Sequence, residues 1–180
     1  ITINCIQKRR FVDTVIKSMF NTIRGKRIAI LGFSFKKDTG DVRESPAIDV
    51  CKGLLDDGAQ LSIYDPKVSE ASIRTQLALE DFEWDHPCIK QKRKRDVDGN
   101  IACKESVYDA CKGAHAICVL TEWDEFRAID LQGIFGTMMK PAFLFDGRNV
   151  INHELAKQIG FVLYALGKPL DPFLTSVNGS

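Results

Sequence analysis

Arg27-Ile28-Ala29-Ile30-Leu31-Gly32-Phe33, the polar loop Lys36-Lys37-Asp38-Thr39-Gly40-Asp41-Val42-Arg43-Glu44, the pair Ser45-Pro46, and Gln60-Leu61-Ser62-Ile63-Tyr64 followed by Asp65-Pro66 decide the fold between them. The first run is short, apolar and β-branched, as in a strand buried on both faces of a parallel sheet. Ser45 suits a helix N-cap, and Pro46 the first helical position, where a missing N–H costs nothing. Ile48, Cys51, Leu54 and Leu55 then supply an apolar stripe, and Gly58 is placed to stop the helix in a left-handed turn. Strand, helix and strand make one βαβ unit, with a right-handed crossover expected.

Toward the C-terminus, residues 69–79 read as a helix. The pattern then breaks over residues 81–104, which hold Pro87, Gly99 and the basic run Lys90-Gln91-Lys92-Arg93-Lys94-Arg95; this stretch reads as a surface insertion. The rhythm resumes with a helix at 106–112, a strand at 115–120, a helix at 124–135, a strand at 142–145, a helix at 152–159 and a last strand at 161–165. A tail with Pro169 and Pro172 follows and is expected to fray. Toward the N-terminus, residues 4–22 have helical periodicity, with Phe11, Val15, Ile16, Met19 and Phe20 on one face. This helix is expected to lead in from another domain. The fold class is therefore α/β: a Rossmann-like, doubly wound parallel sheet of five to six strands, preceded by a long helix.

The 180 residues suffice for one domain of ordinary size. A hydrophobic fraction of 44%, a charged fraction of 27% and a net charge of +1 fit a globular protein and give no global reason to expect nucleic acid. The longest apolar runs, such as residues 116–120, are too short to cross a bilayer. The start Ile1-Thr2-Ile3-Asn4-Cys5 lacks Met and has no signal-peptide pattern, and it reads as an internal cut. Cys5, Cys51, Cys88, Cys103, Cys111 and Cys118 show no CxxC spacing and no histidine at ligand spacing. They read as free, mostly buried thiols of a reducing, cytoplasmic compartment, and no metal site is expected.

In doubly wound sheets, ligands bind beyond the carboxyl ends of the strands. The loop at 34–44 lies there, with Lys36, Lys37 and Arg43 just before a helix N-terminus. Cationic side chains and exposed N–H groups suit a phosphate, and a solvated charged loop fits equally well. Gly32 and Gly40 do not make GxGxxG, so a dinucleotide fingerprint is missing. Asp65 stands where an acidic residue can hold a ribose; without the glycine motif it reads rather as a plain turn. Asp146-Gly147-Arg148-Asn149 forms a second strand-end loop, whose arginine could clamp a phosphate or sugar; taken alone, it reads as an exposed turn. His115 and His153 have no visible nucleophile partner, and His86 reads as surface. The basic run at 90–95 lacks interleaved aromatics and reads as a solvated loop.

Residues 28–45, Ile-Ala-Ile-Leu-Gly-Phe-Ser-Phe-Lys-Lys-Asp-Thr-Gly-Asp-Val-Arg-Glu-Ser, resemble the opening signature of the C-terminal domain of the UDP-glucose/GDP-mannose dehydrogenase family. The stretches Ile63-Tyr64-Asp65-Pro66, Thr121-Glu122-Trp123-Asp124-Glu125-Phe126 and Phe145-Asp146-Gly147-Arg148 agree in order and spacing, closest to the eukaryotic UDP-glucose type. Gln7-Lys8-Arg9-Arg10-Phe11 resembles the end of that family's central helix. The resemblance implies that residues 1–24 end an inter-domain helix, that 25–168 form a UDP-sugar-binding domain with 81–104 as a departure from the pattern, and that 169–180 are a tail. It also implies an NAD-dependent oxidation of UDP-glucose to UDP-glucuronate in two steps, by a homo-oligomer. By the same resemblance, Phe35, Lys36 and Arg148 line the UDP-sugar site, and Arg43 reaches toward NAD held by an N-terminal domain. The catalytic cysteine and the Gly-rich loop belong to that other domain, so no catalytic residue is assigned here and this chain alone is expected to be inactive. Another nucleotide sugar as substrate, or a stand-alone nucleotide-sugar module, are the alternatives. Nucleic acid and membrane are not expected as partners.

Overall fold

A computed structural model describes residues 2–42, 45–78 and 97–165. In chain order the elements are α1 (Thr2–Ser18), β1 (Arg27–Leu31), α2 (Pro46–Asp56), β2 (Gln60–Tyr64), α3 (Glu70–Ala78), α4 (Val97–Asn100) and β3 (Ile101–Cys103). Then come α5 (Val107–Cys111), β4 (Ala116–Val119), a 3-10 helix (Asp124–Ala128), α6 (Leu131–Thr137), β5 (Phe143–Asp146), α7 (His153–Ile159) and β6 (Val162–Ala165). The six strands form one parallel sheet in the order β3-β2-β1-β4-β5-β6. That order reverses direction between β1 and β4, which is the switch point where doubly wound sheets open a crevice.

Alternation along each strand feeds two cores. Ile28, Ile30, Leu61, Ile63, Ala116, Cys118, Phe143 and Phe145 face the cluster packed with α1, α2 and α3. Ala29, Leu31, Ile117, Val119 and Leu144 face the cluster packed with α5, α6 and α7. Both faces of the sheet are thus covered, which is why its strands read as continuous apolar runs. The caps fall where local chemistry places them. The Ser45 side chain accepts from the Ala47 N–H while donating to the Phe33 carbonyl, with Pro46 opening α2. Gly58, at φ +91°, follows the end of that helix.

Three expectations are corrected. The stretch 81–104 is not wholly an insertion: residues 101–103 are the edge strand, registered Leu61 to Ile101 through Ile63 to Cys103. Three residues give too short a period to be read in sequence. His86, Cys88 and the run 90–95 lie outside the described residues. The segment 124–135 is two helices, because Ile129 is extended and Asp130, itself non-helical, caps α6 by accepting from the Gly133 N–H. The first helix ends at Ser18 rather than near residue 22, since Phe20 and Asn21 turn to positive φ; Phe20 therefore leaves the apolar face and is 72% exposed. The apolar face of α1 packs within this chain. Phe11, Val12, Val15 and Met19 are buried in this chain's own core, at roughly 1.5–3 kcal/mol per large apolar side chain. A buried pair, Lys8 Nζ to Asp49 Oδ2 at 2.8 Å, ties α1 to α2.

The four described cysteines are free thiols; Cys51, Cys111 and Cys118 are buried and Cys103 half-buried. Burial raises all four thiol pKa values, to about 12 for Cys111 and about 11 for Cys103. Among the described residues, no helix is long and apolar enough to cross a membrane.

Candidate functional site

At the switch point the loops after β1 and β4 part toward opposite faces. The close approach there requires Gly32. At φ +95°, a Cβ on it would lie 2.4 Å from the Thr121 Cβ, so a side chain is excluded by both conformation and space. Thr121, fully buried, donates from Oγ1 to the Ser34 carbonyl at 2.9 Å.

Asp65, at the end of β2, organises the loop after β1. Its Oδ2 accepts from the Phe33 N–H (2.8 Å), the Ser34 N–H (3.0 Å), the Ser34 hydroxyl (3.1 Å) and the Trp123 indole N–H (3.1 Å). Its Oδ1 accepts from the Lys67 and Val68 N–H groups at 2.8 and 3.1 Å. The plain-turn reading therefore describes only Oδ1. The second oxygen fixes the backbone that presents Phe35 and Lys36, and so many donors leave the carboxylate nothing for a ribose.

Asp146, fully buried at the end of β5, does the same for the second loop. Its Oδ1 accepts from the Arg148 N–H; its Oδ2 accepts from the Val150 and Ile151 N–H groups and meets His153 Nε2 at 2.8 Å. Gly147 is hemmed by the Phe11 ring and the Val119 carbonyl, each 2.9 Å from where a Cβ would stand. In this way α1 buttresses the loop that carries Arg148.

The segment after β4 joins these loops, and its partners alternate along the sequence. Thr121 holds Ser34 and Trp123 holds Asp65. Glu122 pairs with Arg148, its Oε2 2.7 Å from Nε. Asp124 pairs with Lys37 at 3.3 Å, and Glu125 accepts from the Tyr64 hydroxyl at 3.0 and 3.1 Å. Burial, then the bond to Glu125, raises the Tyr64 phenol to about 12. Phe126 is buried and pins the segment to the core.

The sequence-predicted residues stand as follows. Phe35 is 45% exposed, its N–H bonded to the Asp41 carbonyl at 2.7 Å. Lys36 is exposed and makes no ion pair among the described residues. Arg148 is part-exposed and paired with Glu122. The clasp at 121–126 ties both loops together at the carboxyl end of the sheet, but among the described residues no bond joins Arg148 to Phe35 or Lys36. Arg43 lies outside the described residues. Asp65, Thr121, Trp123 and Asp146 were not singled out as organisers. The available signal was an aspartate closing a strand just before a Pro or Gly turn, twice, and a tryptophan inside an otherwise acidic run. His115 and His153 serve the structure: Nδ1 of His115 accepts from the Arg27 N–H, and His153 caps the Asp146 cluster. Among the described residues, no group of three or more His, Cys, Asp or Glu could hold a metal ion.

An exposed aromatic, a free ammonium and a guanidinium along one strand-end edge suit a flat, anionic, hydroxyl-bearing ligand. Comparison with known proteins points the same way. A family model described as "UDP-glucose/GDP-mannose dehydrogenase family, UDP binding domain" matches residues 29–153. UDP-glucose 6-dehydrogenase 4 of Arabidopsis thaliana is 56% identical over 174 residues, covering 97% of this chain and 36% of that protein. UDP-glucose 6-dehydrogenase 1 of Glycine max is 55% identical over the same shares. The chain thus spans about a third of the length of these curated relatives. Among solved structures, an NDP-N-acetyl-D-galactosaminuronic acid dehydrogenase from Methanosarcina mazei Go1 superposes with a TM-score of 0.65 at 20% identity, over 91% of this chain and 29% of that one. A UDP-glucose dehydrogenase from Pyrobaculum islandicum gives 0.61 at 18%, over 89% and 29%. At such identities these two show the fold alone.

Proposed function

The chain belongs to the UDP-glucose/GDP-mannose dehydrogenase family, as its UDP binding domain, and from that premise we propose that it forms the UDP-glucose-binding wall of an NAD-dependent UDP-glucose 6-dehydrogenase. The complete enzyme would oxidise UDP-glucose to UDP-glucuronate in two steps. Phe35, Lys36 and Arg148 would hold the nucleotide sugar, and Arg43 would reach NAD bound by another part of the protein. The observation that carries this reading is the clasp at residues 121–126, which ties the Phe35-Lys36 loop and the Arg148 loop together at the carboxyl end of the sheet, beside its switch point.

The described residues do not fit NAD themselves. The turn after β1 lacks GxGxxG, and the carboxylate of Asp65 is consumed by its own loop. The proposal accordingly assigns NAD to a separate portion of the enzyme, and none of the buried, high-pKa thiols described here suits a nucleophile. Mixed with UDP-glucose and NAD, this chain alone should produce no NADH.

Kinetics of the complete enzyme test the division of labour. A lysine cannot copy the two parallel bonds of a guanidinium. Arg148→Lys should therefore weaken the response to UDP-glucose far more than to NAD, and Arg43→Lys should do the reverse. Each defect should be about tenfold or more, from about 1.5–3 kcal/mol per lost charged contact. Equal small changes for both substrates would refute the assignment. Running UDP-N-acetylmannosamine and GDP-mannose beside UDP-glucose tests the sugar itself.

A further inference from the structure

We propose that Glu122 is a positioning residue for nucleotide-sugar binding: it grips one edge of the Arg148 guanidinium and leaves the opposite edge free for ligand. This rests on the reading of Arg148 as a UDP-sugar contact.

The geometry is one-sided. The Arg148 Nε–H donates to Glu122 Oε2 at 2.7 Å, and Nη2 lies 2.5 Å from the same oxygen as the closest ion-pair contact. A guanidinium has five N–H donors in a rigid plane. Glu122 takes the Nε–H and sits against Nη2, and among the described residues no hydrogen bond engages Nη1. The side chain is still 37% exposed, so the guanidinium is not sealed into the core.

Both partners are fixed from behind. Glu122 stands between Thr121, locked to Ser34, and Trp123, locked to Asp65. Arg148 follows Gly147, wedged under Phe11, and its own N–H is tied to Asp146. The pair thus spans two anchored loops. An unbraced arginine would lose rotamer freedom only when a ligand arrived; here that freedom is lost on folding, so the ligand meets an oriented donor edge. A ligand that had to displace Glu122 would strand a half-buried carboxylate, and nothing among the described residues stands ready to replace the guanidinium there.

Calorimetric titration of this chain with UDP and with UDP-glucose tests the proposal, using Glu122→Ala, Glu122→Gln, Arg148→Lys and the double variant Glu122→Ala/Arg148→Lys. Circular dichroism confirms that each is folded. Glu122→Ala should weaken UDP-glucose binding by roughly tenfold, the scale of coupling between contacting residues. Glu122→Gln keeps an acceptor for the guanidinium and should weaken it by roughly threefold or less. The double variant should bind no worse than Arg148→Lys alone, because a brace without its arginine has no further effect; a general loss of structure would add to it instead. Unchanged or tighter binding in Glu122→Ala, or additive losses, would overturn the proposal. If the unsubstituted chain binds neither ligand at millimolar concentration, the same variants are read in the complete enzyme: Glu122→Ala should raise the KM for UDP-glucose about tenfold and leave that for NAD unchanged, and an unchanged KM for UDP-glucose would overturn the proposal.

Discussion

Replacing Asp65 by asparagine changes one oxygen into an amide nitrogen at the point that fixes the candidate site. The native carboxylate receives four donors on Oδ2 and two on Oδ1, and the residue is 8% exposed. Asparagine can satisfy one group or the other. With its oxygen turned to Phe33, Ser34 and Trp123, its amide hydrogens confront the N–H groups of Lys67 and Val68. At least two charge-assisted bonds are lost in this better orientation, each typically about 1.5–3 kcal/mol. Some relief is available because Lys67 is exposed and can turn to water. The expected net cost is about 3–4 kcal/mol, out of a total stability of order 5–15 kcal/mol. For a chain of this size that is a fall in Tm of roughly 6–15 °C. Urea and thermal unfolding followed by circular dichroism measure it, with the exposed Asp13→Asn as a control expected to stay within about 0.5 kcal/mol. Because Trp123 donates to the same oxygen, its fluorescence should shift as well. A loss below about 1 kcal/mol would refute the view that Asp65 is the anchor of the Phe35-Lys36 loop.

Three further outcomes follow from the same geometry. Gly32→Ala should cost about 2–4 kcal/mol or prevent folding, since it combines a positive φ with a collision against Thr121; near-native urea unfolding would contradict this. In the native chain at pH 8, iodoacetamide should leave Cys51, Cys111 and Cys118 unmodified, because burial raises their pKa values, and should reach them on unfolding; rapid labelling read by peptide mass spectrometry would overturn their placement. The His115 imidazole is held below its ordinary value, first by burial and then by the Lys26 ammonium. The unfolded chain therefore binds that proton more readily, so the stabilisation is full above about pH 6.5 and is lost as pH falls through the folded value. His115→Gln should flatten that part of the stability profile between pH 7 and 5.5, and an unchanged slope would count against it.

Much of this molecule is legible in its sequence. The run Arg27–Leu31, the Ser45-Pro46 start and Gly58 carry strong local chemistry, and their elements stand where periodicity places them. The edge strand at 101–103 was missed because three residues bounded by Gly99 and Lys104 have no measurable period. Phe20 was misplaced because a helical wheel does not register that the chain leaves the helix two residues earlier. The strand-end position of Phe35, Lys36 and Arg148 follows from the βα rhythm alone. What holds them does not. Asp65 and Asp146 look like turn residues; the long-range donor Trp123 of the first becomes visible only when the strands are laid side by side, and the partner His153 of the second, seven residues on, only when the loop is folded back onto the strand end. Glu122 offered no signal by itself, because an acidic residue in an acidic run gains meaning only from the arginine it faces.

The most direct measurement is a titration of the isotope-labelled chain with UDP-glucose, followed by the backbone amide resonances of residues 33–37 and 146–150 together with the Arg148 Nε–H. Binding at the strand-end edge should move both groups of signals along one common saturation curve, weakened together in Lys36→Ala. Shifts confined to the opposite ends of the strands, or none at saturating ligand, would contradict a UDP-sugar site built from these two loops.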